Sequence, residues 1–257
     1  MGRENMKIAV ITGASSGLGR EFAFAAADCR RDIDEIWLIA RREEKLKETA
    51  EKMKKTVRIL PLDITKRECT DEYAARLKAE NAEVALLINN AGYGKLGNFD
   101  GLDTADNGGM VRLNCEALTV ITSLTLPFMK SGSEIINTCS IAAFAPNTRM
   151  AVYCSTKAYV LSLSKALRSE LRPRGINVLA ACPGPMDTEF LPAAGIDPGA
   201  SRTFDTLPRV KPSVMARKAL KASAKKKGVY TNLLFYKFYR VLAKILPHGL
   251  VMKMCGA

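Results

Sequence analysis

The chain has 257 residues, 47% of them hydrophobic and 25% charged, with a formal net charge of +13 at pH 7. That length suits one large α/β domain with a sizeable core, and that composition excludes a disordered or fibrous chain. The basic excess suits an anionic ligand or surface, but part of it is local, at Lys225, Lys226 and Lys227 and in the last helix, where a solvated helix end accounts for it. No nucleic-acid partner is expected. Seven cysteines (Cys29, Cys69, Cys115, Cys139, Cys154, Cys182 and Cys255) include no CxxC pair, and His248 is the one histidine. Neither a disulfide framework nor an imidazole-rich zinc site is expected; the thiols read as reduced and mostly buried, in a cytoplasmic protein. A first strand starting by Lys7 leaves no room for a signal peptide, and Met6 stands where a myristoylation pattern wants Ser or Thr. No run of about 18 uncharged apolar residues predicts a membrane-spanning helix.

Short apolar runs alternate with longer amphipathic stretches. Strands are predicted at Lys7–Ile11, Glu35–Ile39, Val57–Leu60, Val84–Ile88, Glu134–Thr138 and Asn177–Ala181, with a weaker one at Gly228–Thr231. Helices are predicted at Gly17–Cys29, Arg42–Lys54, Lys66–Glu80, Ala105–Lys130, Ala151–Leu171 and Ser213–Ala224. This βαβα rhythm predicts a doubly wound parallel sheet of about seven strands, covered by helices on both faces. No linker or repeat divides the chain, so residues 1–257 are expected to form one domain. The Pro/Gly-rich span at about 184–212 is long for a connection and suits a lid over a substrate.

Three short segments carry chemistry. The first, "TGASSGLG" from Thr12 to Gly19, follows a strand and opens a helix, the setting in which a glycine loop binds a dinucleotide. Gly13 allows the tight turn, Gly17 and Gly19 allow close backbone approach, and the helix N-terminus favours phosphate. The second is "ARR". About 20 residues past such a loop, an acidic residue usually grips the ribose of NAD. Here Ala40 is followed by Arg41 and Arg42, with no carboxylate at the strand end. Two guanidiniums suit a 2′-phosphate, so NADP(H) is expected, with a solvated basic helix start as the rival. The third is "YCSTK", which puts Tyr153 and Lys157 on one face of a helix. A nearby ammonium favours the phenolate and is expected to lower the phenol's pKa. Ser140 and "NNAG" (Asn89 to Gly92) lie at strand C-termini, the edge where ligands bind in open α/β sheets.

Together these residues resemble the short-chain dehydrogenase/reductase family, in its compact single-domain branch. The likeness rests on TGxxxGxG (Thr12, Gly13, Gly17, Gly19), Asp63 in "LDIT", NNAG, Asn114 in "RLNCEA", Ser140, YxxxK and "PGPMDT" (Pro183 to Thr188), in family order from about Lys7 to Phe190. The resemblance implies an oxidoreductase acting between a carbonyl and a secondary alcohol. It implies Tyr153 as proton donor in reduction, Lys157 as its partner and as ligand of the nicotinamide ribose, and Ser140 as hydrogen-bond partner of the substrate oxygen. Asn114 is implied to hold a relay water, with a helix-kink role as the rival. Gly13, Ser15, Ser16, Gly17, Leu18, Gly19, Arg41, Arg42, Asp63, Asn90, Ala91, Gly92, Pro183, Gly184 and Thr188 are implied to line the cofactor. For Asp63 a plain turn residue is the rival.

The loop "MDTEFLPAAGIDPGASRTF" is mainly small and apolar, which favours a lipophilic substrate. A hydroxysteroid dehydrogenase is a narrower alternative. A non-catalytic dinucleotide sensor that docks a membrane or partner is another. Apolar residues on two faces, Leu113, Leu118, Ile121 and Leu124 and then Val160, Leu161, Leu163 and Leu167, together with the resemblance, imply a homodimer or homotetramer, with a thicker core in a monomer as the rival. In the tail, at about 232–257, a helix from Asn232 to Leu246 is predicted, ended by Pro247. Lys237, Arg240 and Lys244 form one basic stripe on an otherwise apolar helix. Its cover is the substrate cleft, a second subunit or a membrane interface.

Overall fold

The computed structural model describes residues 6–199 and 201–255; the segment before Met6, which carries most of the myristoylation pattern, lies outside them. Seven strands form one parallel sheet: β1 (Lys7–Thr12), β2 (Glu35–Ile39), β3 (Thr56–Leu60), β4 (Glu83–Asn89), β5 (Glu134–Thr138), β6 (Asn177–Ala181) and β7 (Val229–Tyr230). Their order is β3-β2-β1-β4-β5-β6-β7, and every neighbouring pair is parallel. The order reverses between β1 and β4, which opens a crevice at their C-terminal ends.

The strands are mostly apolar because both faces are covered. Side chains alternate between faces. Ala9, Ile11, Ile36 and Leu38 meet one helical layer, made by α1 (Gly17–Cys29), α2 (Glu43–Ala50) and α9 (Pro212–Ala224), through Phe22, Leu46, Met215 and Leu220. Ile8, Val10, Trp37 and Ile39 meet the other, made by α3 (Arg67–Ala79), α5 (Leu118–Thr125) and α6 (Ala151–Leu171), through Tyr73, Leu77, Ile121 and Leu171. A buried polar ladder ties β4 and β5 to this second layer. Asn89 donates to Thr122 and Asn137, both at 2.9 Å, and Asn137 donates to Ser164 at 2.9 Å. The ladder fixes register between β4, β5 and this layer, with the Asn89 Oδ1 left without a partner.

Two expectations need correction. The helix predicted over Ala105–Lys130 is broken into α4 (Thr104–Val111), a widened π turn at Arg112–Ala117, and α5. Pro127 then ends the run, since it has no N–H to continue the ladder. The tail helix is α10 (Leu234–Ile245), and a second helix, α11 (His248–Cys255), follows where none was predicted. Pro247 ends one and opens the other: its carbonyl accepts from Leu250 at 3.0 Å. The long span after β6 is partly ordered by two short helices, α7 (Phe190–Ala193) and α8 (Arg202–Thr206). Among the described residues no helix is long and apolar enough to cross a membrane. The described cysteines are free: Cys139, Cys154 and Cys182 are buried, Cys69 and Cys115 half-buried, and Cys29 exposed. "Mostly buried" thus holds for only part of the set.

Candidate active site

The crevice at the C-terminal edge of β1 and β4 is a cavity of about 700 Å³. Its floor is the glycine loop. Gly13 has φ +67°, and a Cβ there would lie 2.8 Å from the Ala91 backbone. A Cβ on Gly19 would run into the Gly13 carbonyl. The loop is therefore glycine because two backbones touch. Thr12 fastens them: its Oγ1 accepts from the N–H of Asn90 at 2.9 Å and of Ala91 at 3.1 Å. Asn90 in turn donates to the Gly13 carbonyl and accepts from Thr138 at 3.2 Å. Helix α1 begins at Gly17 with no side-chain cap from Ser16, leaving first-turn N–H groups for an anion.

At one end of the cavity stand Arg41 and Arg42, both exposed. Arg42 bridges to Ser16 at 2.9 Å and to Glu189 at 2.7 Å. This crosses the mouth from the glycine loop to the loop after β6. Glu189 was not legible in the sequence. It lies 147 positions from Arg42, and nothing local marks the pair. Asp63 accepts from the backbone and hydroxyl of Thr65 at 3.1 and 2.7 Å, the turn role named as its rival. Burial pushes its carboxyl up, but the Thr65 hydrogen bonds and the charges of Arg41 and Lys66 more than offset this, so its pKa falls below the ordinary value.

At the other end lie the reacting side chains. Ser140 follows β5 and accepts from the Ala142 N–H at 3.1 Å. Tyr153 and Lys157 project from the first turns of α6, both buried. Tyr153 and Ser140 line the same cleft, where Ser140 favours the ionised phenol, and the Tyr153 ring packs 5.7 Å from that of Phe190. Lys157 donates to the Thr138 carbonyl at 2.9 Å and has its Nζ 5.7 Å from the centre of the Tyr153 ring. Burial pushes the Tyr153 phenol above its ordinary pKa, and Ser140 only partly opposes this. Burial also pushes the Lys157 ammonium down. The expected lowering of the phenol by Lys157 is thus reversed here, because burial disfavours both charged forms.

Asn114 sits in the π turn, 1% exposed. Its amide accepts from the Tyr93 N–H at 3.0 Å and donates to the Tyr93 carbonyl at 2.8 Å and to Thr156 at 3.1 Å. These bonds tie the π turn to the segment after NNAG, as a kink role requires. Ala91, Gly92, Ser15, Leu18, Pro183, Gly184 and Thr188 also line the cavity. Gly19 stands one residue along from the lining Leu18. The tail contributes Phe235, Tyr236 and Tyr239. Tyr236 is fully buried, donates to the Pro208 carbonyl at 2.6 Å, and lays its ring against Gly184, where a Cβ would collide with it. The sequence marked this helix as amphipathic but not which residue enters the cleft. Among the described residues no group of three or more His, Cys, Asp or Glu could hold a metal ion.

The arrangement fits a nicotinamide dinucleotide: a glycine cradle with free N–H groups in the middle, cations at one end and a Tyr/Ser/Lys cluster at the other. Comparisons agree. Residues 7–197 match the family model described as short chain dehydrogenase. A short-chain dehydrogenase from Sphingobium yanoikuyae, solved in complex with NADPH, is 30% identical with a TM-score of 0.77, covering 94% of this chain and 96% of that one. The bulky-bulky ketone specific alcohol dehydrogenase from Comamonas testosteroni is 28% identical with a TM-score of 0.74, covering 96% and 94%. "Probable oxidoreductase EphD" of Mycobacterium tuberculosis is 34% identical over 197 residues, 72% of this chain but 32% of that protein, so the match spans about a third of its length. The chain belongs to the short-chain dehydrogenase/reductase family of oxidoreductases.

Proposed function

We propose that the protein is an NADP(H)-dependent oxidoreductase that interconverts a lipophilic ketone and its secondary alcohol. The observation that carries this is the gathering of Ser140, Tyr153 and Lys157 in one cleft with Arg41 and Arg42. Bound in the cleft, the nicotinamide would supply or accept a hydride. Arg41 and Arg42 would hold the 2′-phosphate, and Gly13, Ser15, Ser16, Gly17, Leu18 and Gly19 would cradle the pyrophosphate. Asp63 would meet the adenine. Asn90, Ala91 and Gly92 would line the adenosine side, and Pro183, Gly184 and Thr188 the carboxamide side.

The rest is the work of this chain. Ser140 holds the substrate oxygen where negative charge develops. Tyr153, kept protonated by burial, gives its proton to that oxygen in reduction and takes it back in oxidation. Lys157 holds positive charge beside the phenol and would bind the nicotinamide ribose. Asn114 positions α6 by gripping Tyr93 and Thr156. Met150, Phe190, Leu191, Phe204, Phe235 and Tyr239 wall the substrate end and favour an apolar substrate. The solved relative with bulky-ketone specificity supports the same class.

We place the enzyme in the cytoplasm, as one domain, and as a homodimer or homotetramer. The residues that suggested assembly are taken up by this chain's own core, Leu118, Ile121, Val160 and Leu161 buried and Leu113, Leu124, Leu163 and Leu167 packed against them; Val111, 49% exposed, and Tyr159, 42% exposed, are what the α4–α6 side offers a second subunit. The test is initial-rate consumption of NADPH and NADH with a panel of ketones, steroids included. Turnover of a bulky ketone with NADPH supports the reading. Tight NADPH binding with no turnover of any ketone or alcohol would replace it with a non-catalytic dinucleotide sensor.

A further inference from the structure

Helix α10 has two apolar faces. Tyr236 and Ala243 are buried, and Tyr239 is half-buried against Phe144, with ring centres 6.1 Å apart. This inner face is a wall of the cleft. The outer face carries Leu234, Phe238, Val241 and Ile245, at helical spacing, with exposures of 80%, 66%, 54% and 74%. Phe235, 53% exposed, lines the cavity as well, so it belongs to both faces. Leu250 on α11, 47% exposed, adds to the outer patch. A row of large apolar side chains this open to water marks a contact surface.

The charge around the patch says what the contact is. Lys237, Arg240 and Lys244 run along one flank of α10, between its outer and inner faces. Lys253 on α11 is exposed too. No acidic residue occurs after Asp205, so no carboxylate of α10 or α11 offsets these four cations. Asp187, in the loop after β6, is paired with Arg209 at 3.6 Å. A second copy docked on the same face would bring two unpaired basic patches together. An anionic lipid surface instead matches both features. The apolar row enters the acyl boundary, while the lysine stems lie along it with their ammonium groups at the headgroups.

We infer that α10 seats the protein on an anionic membrane surface, with its outer face in the lipid boundary and its inner face closing the substrate cleft. The cleft mouth at Phe235 then opens toward the bilayer, where a lipophilic substrate concentrates. That last step rests on the proposed ketone chemistry; the docking itself does not.

The test is co-sedimentation of the full chain with phosphatidylcholine vesicles containing about one third phosphatidylserine, and with pure phosphatidylcholine vesicles. Binding to the anionic vesicles alone, weakened by raised salt, is the expected result. Phe238→Ser with Ile245→Ser should reduce it roughly tenfold or more, and Lys237→Ala with Lys244→Ala likewise. Both double variants change exposed positions away from the cleft, so NADPH affinity and particle mass should match the wild type. No sedimentation of the wild type at low salt overturns the inference. So does equal binding to neutral vesicles, or unchanged binding by the Ser double variant. A fall in particle mass in that variant would make the face a subunit contact and overturn it too. Loss of ketone turnover without loss of vesicle binding would instead count against the catalytic reading alone.

Discussion

Lys157 reaches from α6 to the carbonyl oxygen of Thr138 on β5, 2.9 Å away, and not to any carboxylate. Its charge therefore stands buried beside Tyr153 without an anion to neutralise it. Such a group is costly to keep and is of use where a reaction needs positive charge beside a proton donor.

The first prediction concerns the Tyr153 proton. Burial holds the phenol's pKa above its ordinary value. The sign follows: the folded protein keeps this proton through neutral pH and past about pH 10, where a free phenol loses it. The stability this contributes is fully present below that pH and declines above it. The phenolate absorbance of the wild type minus that of Tyr153→Phe, titrated without cofactor, should show no ionisation near neutrality. A phenolate appearing at neutral pH would mean that the Lys157 charge outweighs burial.

A second prediction concerns cofactor choice. Arg41→Ala should weaken NADPH roughly tenfold or more, as expected for a lost charge-assisted contact, and leave NADH nearly unchanged. Fluorescence titration of both cofactors measures this. Equal losses for the two would remove Arg41 from the 2′-phosphate.

The tail supplies a third. Tyr236→Ala opens a cavity beside Gly184 and frees α10 from Pro208. Losses of this kind cost about 3–5 kcal/mol, so thermal denaturation should show a clear drop in Tm. The Michaelis constant for a bulky ketone should rise several-fold, while the dissociation constant for NADPH, bound mainly at the glycine loop, should change little. A rise confined to NADPH would make α10 a cofactor clamp and not a substrate wall.

Assembly gives a fourth. Light scattering at micromolar concentration should report a dimer or tetramer, and Tyr159→Glu should shift it toward monomer. A monomeric wild type would leave Val111 and Tyr159 as plain surface residues.

Much of this was legible before any coordinates. Six strands announced themselves as short apolar runs between turn residues. The glycine loop, Ser140, Tyr153 and Lys157 are fixed by position relative to strand ends, and the sheet brings them to one edge. Other features were hidden for physical reasons. The residues of the π turn, Arg112–Ala117, have ordinary helical character, and the turn is held by Asn114 gripping a distant backbone at Tyr93. The Arg42–Glu189 bridge joins segments that only tertiary folding brings together. Helix α10 is apolar on most of its circumference, so periodicity could not say which side enters the cleft. Burial of Tyr153 reversed a pKa argument made from charge alone.

The most direct test of the central claim is the paired kinetics of wild type and Tyr153→Phe on a bulky ketone with NADPH. Only one hydroxyl is removed, so melting temperature and NADPH affinity should stay close to wild type. The account predicts that kcat falls by about 10²–10⁴-fold, the usual contribution of a positioned proton donor. A variant that reduces the ketone at the wild-type rate would contradict it.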